Sequence, residues 1–417
     1  MNSGLGGSGA SGLVILNGTV TTTGISDLTI SAGSGYVKLT GTSVSLTSLT
    51  INSTYSTDNN NKIDSVISGV TALTFNGTTG GKLYLYGANT YTGGTTIKAG
   101  TLQGNYTAAV TTTTSSFGAN TNSTGTITIG DSAGGSNNAT LLIGGTGVTY
   151  AQPIVLASNT TGTLTIGNTG TAISTTFSGG VTGTNNLTIN ENATTGTITF
   201  STNSINNTGT VTNIGAGSGT TTISGGIGAN VTGITQNSST SALTVSGAIT
   251  LANTSGTTTL TNSSTALFTV SGGTIGGHAS RVLDIKNNST TTSGITISTT
   301  SLNHTGTITN TGSGSGSVLI SGGVGSAVTS ITQNGTSPLN ITTTAITVAS
   351  GGTTLTLSTT SPFTVSGGVT GTGDLILRNN AGSNNALSLI TTLVNNTGTI
   401  SNTGTGGDVS ISAANLS

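Results

Sequence analysis

The chain has 417 residues, of which 7 are basic and 8 acidic, so only 4% is charged, against about a quarter in an ordinary soluble domain. Such scarcity leaves almost nothing with which to build a charged catalytic centre, and the lysines and arginines are too widely spread for the clustered cations that phosphate backbones demand. No Cys or Trp is present, which removes disulfides and thiolate metal sites and agrees with an extracellular bacterial setting.

The first twelve residues form a Gly/Ser arm, and Leu13-Val14-Ile15-Leu16 follows as a strand apolar enough to seek a partner edge. Residues 1–16 are therefore expected to be an arm with an exchangeable strand. The opening Met1-Asn2-Ser3-Gly4 lacks the basic start and apolar run of a signal peptide, so an exported protein is expected to be a mature form or a fragment. Beyond the arm, Val37-Lys38-Leu39, Leu83-Tyr84-Leu85-Tyr86, Ile127-Thr128-Ile129 and Leu164-Thr165-Ile166 place apolar side chains at i and i+2, the period of a strand with one buried face. Thr fills the alternate positions and favours strands through its branched Cβ. Gly, Asn and Ser stand between the runs as turn residues. No helical periodicity is found, and no apolar run approaches the ~20 residues of a membrane helix.

Six Phe and seven Tyr are too few for the thick core of conventional sandwiches, about 10 Å across. Small apolar residues alternating with Thr suit a thin core enclosed by one chain that winds and stacks on itself. The expected fold is all-β, a single-chain β-solenoid (parallel β-helix), without the aromatic-girdled strands of a membrane barrel. Residues 17–175 hold all seven Tyr and form a first solenoid region.

Within it, Gly87-Ala88-Asn89-Thr90-Tyr91-Thr92-Gly93-Gly94-Thr95-Thr96-Ile97-Lys98-Ala99-Gly100-Thr101-Leu102-Gln103 resembles the autotransporter-associated β-strand repeat of bacterial passenger domains, with Leu83 to Tyr86 where that family has its preceding strand. The resemblance covers about residues 69 to 120. It implies an exported β-solenoid passenger at the bacterial cell surface, which elsewhere in the family precedes a C-terminal barrel.

Residues 176–417 form a second solenoid region of long repeats. Asn207-Thr208-Gly209-Thr210-Val211-Thr212-Asn213 returns at His304 to Asn310 and at Asn396 to Asn402, spacings of ~97 and ~92 residues that exceed the ~20–50 of one solenoid unit, so each block holds several coils. Phe268-Thr269-Val270-Ser271-Gly272-Gly273 recurs at Phe363 to Gly368 in the same register. Apolar pairs at roughly 17 to 25 residues, taken as one coil each, predict about 19 coils.

Candidate chemistry is sparse. No Asp-x-Asp pair of the kind glycosidases place across a groove is present. Asp58 and Asp64 flank Asn59-Asn60-Asn61 as a weak calcium motif, read as a solvated loop. Arg281, Asp284, Lys286 and His278 form the densest charged cluster. Its internal copies vary between Asn, Lys and Arg, so it reads as a surface pair worth under about 1 kcal/mol. His304 aligns with Asn207 and Asn396 and reads as a turn residue. No catalytic residue, metal site or cofactor is expected. Asn and Thr stacked in register are expected to form side-chain hydrogen-bonded ladders.

Two functions follow. The first is an extracellular structural protein, a subunit of a surface filament, fibre or sheath that joins to itself head to tail through Leu13, Val14, Ile15 and Leu16 at one edge and Val409 and Ile411 at the other. The second is an adhesin stalk or passenger binding glycans or a host surface, for which Tyr84, Tyr86 and Tyr91 would serve as stacking platforms, whereas on the residues alone these three read first as core or ladder packing. Neither reading calls for nucleic acid or membrane insertion.

Overall fold

Aliphatic residues alternating with threonine become parallel strands whose aliphatic side chains all face one interior. The structure is a computed structural model and describes residues 2–6, 14–20, 26–41, 43–107, 111–252, 256–277, 280–299 and 301–416. The fold is a parallel β-solenoid of about 16 turns with essentially no helix; the single 3-10 turn among the described residues is Thr78–Gly80. The chain forms two compact units, residues 1–209 with 216–221 and residues 210–215 with 222–417.

The turn count corrects the expected 19, because the short spacings joined strands on different faces of one coil. Leu243 stacks on Phe268, whereas Leu260 belongs to another sheet, between Ile234 and Ile285. Hydrogen bonds between successive coils instead span 21 residues at Ser48 to Asp27, 23 at Asn310 to Gln333 and 25 at Arg378 to Thr403.

In the second unit each coil has three sides. One coil runs Thr257–Asn262, Phe268–Val270 and Thr274–Gly277; the next runs Arg281–Asn287, Ile295–Ile297 and Ser301–Leu302. Stacking builds interior columns such as Leu243, Phe268, Ile295, Val318, Leu339, Phe363 and Leu387, all of them fully buried. From Gly306 one block carries strands beginning at Gly306, Val328, Thr353 and Leu375 before the motif returns at Ile400. A block is thus four coils, which is why its period far exceeds one repeat.

A second kind of column is polar. Asn213, Gln236, Asn262, Asn287, Asn310, Gln333 and Asn379 are fully buried at the same corner, interrupted by Leu357 in the coil between the last two. Asn310 shows the pattern: its Oδ1 accepts from the Gly312 amide, while its Nδ2 donates to Gln333 Oε1 at 2.6 Å and to the Ser337 carbonyl at 2.6 Å. An unpaired buried polar group costs about 1–3 kcal/mol, so these amides both hold the corner turn and bind it to the next coil.

The first unit is less regular. Residues 2–6, expected in a free arm, form strand Asn2–Gly6 paired with Asp27 to Ser31. Val14–Leu16 pairs with Val37 to Leu39, and Leu13 lies outside the described residues. Its interior carries stacked aromatics: Phe117 and Tyr150 at 5.2 Å, Tyr150 and Phe177 at 5.8 Å, and Phe177 and Phe200 at 5.4 Å between ring centres. The compositional change at 175 therefore falls inside this unit, since Tyr150 pairs in register with Phe177 and Phe177 with Phe200.

Candidate functional site

Strand Thr95–Gly104 serves two sides of one coil. Its first half pairs with Leu73 to Phe75 and with Ile127 to Ile129, its second with Lys82 to Leu85 and with Ala139 to Ile143. The corner falls at Gly100, at φ +78, where an added Cβ would come within 2.3 Å of the Gly81 carbonyl oxygen. Only glycine fits that turn, which is the physical content of the Ala99-Gly100-Thr101-Leu102 stretch.

This corner organises the outer face beside it. Leu83 and Leu85 point into the core at 0% exposure, so Lys82, Tyr84 and Tyr86 point outward. Lys38, Lys62, Tyr84 and Gln103 then stack as successive rungs of one external column, and Lys82, Thr101 and Thr140 form the column next to it. The Tyr84 and Tyr86 rings lie nearly parallel, 6.4 Å apart at 19°. The Lys82 ammonium sits 4.7 Å over Tyr84 and that of Lys62 5.5 Å over Tyr86, within reach of the ring quadrupole. Lys62 also pairs with Asp64 at 2.7 Å. Tyr36 and Tyr55 meet edge to face at 5.4 Å on the same unit.

An open cleft of about 450 Å³ adjoins these columns, lined by Gly77, Gly80, Gly100, Thr101, Ser136, Asn137, Asn138 and Thr140. Its outer wall is the loop that begins at Asp131, which pairs with Lys98 at 3.5 Å and accepts from the Ala133 amide. Thr101 and Thr140 both line the cleft, and Lys82 pairs in register with Thr101, so the lysine stands one rung away in the same column.

Of the three tyrosines that the adhesin reading would set against a glycan, Tyr84 and Tyr86 share this face, although Tyr84 is only 6% exposed beneath its neighbours. Tyr91 does not join them: it is 0% exposed, and its hydroxyl meets Thr95 Oγ1 at 2.6 Å. The repeat uses it as a core residue, and a fully buried ring offers no surface for a sugar to stack on. Burial pushes its phenol pKa up against the opposing Thr95 hydrogen bond, as it does for Tyr150.

At the far strand, Val409 and Ile411 occupy interior columns, paired with Leu387 and Leu389; Ile411 is 39% exposed. The Asp58 to Asp64 stretch does not converge on a cation. Asp58 caps the Asn60 amide at 2.9 Å, Asp64 turns to Lys62, and Asn61 points inward to Val37, Ser53 and Lys82. Among the described residues no three of His, Asp and Glu gather as a metal site. Lys286 meets Asp284 at 3.2 Å as a surface pair; His278 lies outside the described residues.

Two buried titratable groups escaped the reading of the sequence. Glu191 is 0% exposed and sits where the amide column has Asn: Asn168 Nδ2 donates to its Oε1 at 3.0 Å and the Ala193 amide at 2.9 Å, while Oε2 has no partner. Burial raises its pKa against these two hydrogen bonds. The internal alignment held the signal, since Glu191 matches Asn287 and Asn379. His304, read as a turn residue, lies in the connection between strands Ser301–Leu302 and Gly306–Asn310 and is 1% exposed. Its Nε2 meets the Thr307 carbonyl at 3.0 Å, and burial lowers its pKa.

No curated protein and no solved structure matches the chain. Residues 73–103, which contain the Gly100 corner and much of the cleft, match the model of the passenger-associated-transport-repeat. That repeat implies a secreted or cell-surface protein, and together with the parallel β-solenoid it fits an autotransporter passenger-type repeat protein.

Proposed function

We propose that the chain is a structural segment of an exported bacterial surface protein, whose work is to form a stiff, protease-resistant β-solenoid. The observation that carries this reading is the buried amide column of the second unit, which together with parallel backbone pairing joins coils through uncharged groups. Seven Lys and Arg in 417 residues also leave few sites for trypsin-like proteases. Protease shaving and antibody labelling of intact producing cells should find the chain at the surface; signal confined to lysed cells would overturn the reading.

The finer form of this role is self-assembly. Copies would join by the same parallel pairing that joins coils, through Leu13, Val14, Ile15 and Leu16 of one copy and the strand containing Val409 and Ile411 of another. Electron microscopy of the purified chain at neutral pH tests it. Long uniform filaments, lost on deletion of residues 1 to 16, are expected; monodisperse particles would reject assembly and leave the structural role intact.

A further inference from the structure

The polar cleft and the lysine–tyrosine columns beside it form one continuous surface of the first unit. We propose that this surface binds an acidic polysaccharide, one that carries carboxylates on its sugar rings, with the cleft taking a sugar unit and the columns tracking the polymer. This goes beyond the structural role, which does not depend on it.

Three features of the surface fit such a ligand, and the first is shape. At about 450 Å³ the cleft falls within the ~300–1,000 Å³ of ordinary small-ligand sites. Gly77, Gly80 and Gly100 keep its floor at backbone level, and Thr101, Thr140, Ser136 and Asn137 offer hydroxyls and amides to its mouth. Such groups hydrogen-bond sugar hydroxyls in either direction, since hydroxyls and carboxamides both donate and accept.

The second is charge. Lys62 is paired with Asp64 and Lys98 with Asp131. Among the described residues Lys38 and Lys82 have no carboxylate partner, so the face keeps uncompensated positive charge in a chain whose net charge is −1. Lys82 stands one rung from the cleft-lining Thr101 in the same column, with its ammonium 4.7 Å over the Tyr84 ring and no carboxylate paired with it among the described residues. Two unpaired cations are too few for a nucleic acid backbone, whose affinity comes from many phosphate contacts. They suit a polymer with one carboxylate per ring.

The third is spacing. Rungs of a parallel sheet repeat at about 4.8 Å, close to the length of one pyranose unit. A polysaccharide laid across the coils therefore passes Lys38 and Lys62 one rung apart, with the cleft-lining Thr101 and Thr140 one rung apart in the adjacent column.

The test is binding of oligogalacturonate to the full chain by calorimetry, with neutral dextran, dextran sulfate and single-stranded DNA as comparison probes. Oligogalacturonate is expected to bind more tightly than all three, with affinity that falls as salt rises. The Lys38→Gln/Lys82→Gln double variant should lose at least tenfold in affinity while melting like the parent. Ser136→Trp, on the exposed wall, should block the cleft without changing charge and lose a similar factor. Equal binding of dextran, tighter binding of dextran sulfate or DNA, or unchanged affinity in the double variant would each overturn the proposal. None of these results bears on surface location or assembly.

Discussion

The two units solve one problem with different materials. Both must fill a thin interior and close three corners per coil. The second unit does so with near-identical coils, aliphatic columns and an almost unbroken run of buried Asn and Gln. The first stacks Phe117, Tyr150, Phe177 and Phe200 and lets one coil lengthen, so that Thr95 pairs with Ile127 and Leu102 with Leu141. In place of an amide it sets a carboxyl at Glu191. Regularity suits a spacer, whereas the long coil creates the cleft and the loop that walls it. Binding chemistry and irregularity therefore occur in the same unit.

The largest expected break in this comparison is Phe177→Ala, which removes the ring touching both Tyr150 and Phe200 and should destabilise the first unit by about 3–5 kcal/mol. Hydrogen exchange during denaturant unfolding should place the loss there, with amides of residues 222–417 unchanged. Next comes Asn310→Ala in the second unit. It strips the partner from Gln333 Oε1 and the Gly312 amide and one of two donors from the Ser337 carbonyl, and should cost about 3 kcal/mol, at roughly 1–3 kcal/mol for each of the two groups left unpaired.

Acidity sharpens the contrast, because the two units should respond in opposite directions. Glu191 has a folded pKa above its unfolded value, owing to burial. Its protonated form is favoured by folding, so the first unit loses stability as pH rises from the ordinary carboxyl range through the folded pKa. His304 has a folded pKa below its unfolded value, again through burial. The second unit loses stability as pH falls from about 6.5 through that lower value. Glu191→Gln should therefore raise the melting temperature at neutral pH, with the gain vanishing near pH ~4. His304→Asn, which installs the residue of the aligned copies, should help at pH ~5 and make no difference at pH ~8. A parallel response of the two variants would refute the assignment. The smallest effect is Tyr91→Phe, which loses one buried hydroxyl contact to Thr95 and should cost about 1 kcal/mol without altering glycan affinity, since the ring lies inside.

Much of the solenoid was legible in the sequence. Alternation at Ile127-Thr128-Ile129 or Leu164-Thr165-Ile166 gives strand and buried face directly, because the period of two admits no other reading. What alternation does not carry is which residue stacks on which. Coils of variable length meet at register positions set by corners, so Phe117, Tyr150 and Phe177 form one stack although no constant spacing links them. Tyr91 illustrates the same gap: flanked by Thr and Gly, it has the local context of an exposed turn and is buried only because residues 115–119 fold back over it. The cleft was hidden for the same reason, since Gly77, Gly100 and Ser136 meet through strand pairing across a lengthened coil. The amide column was half visible. Stacked Asn was expected, but full burial, and hence the meaning of Glu191 among amides, required the interior to be drawn.

The amide column has a direction. In each well-formed coil the Asn Nδ2 reaches a carbonyl further along the chain: Asn262 reaches Gly294, Asn287 reaches Ser317 and Asn379 reaches Asp408. A newly folded coil thus presents donors that the following coil satisfies, and until then water can serve them. A solenoid cut between two such coils would therefore show two unlike faces, with unpaired amide donors on the piece nearer the N-terminus and unpaired carbonyls on the other.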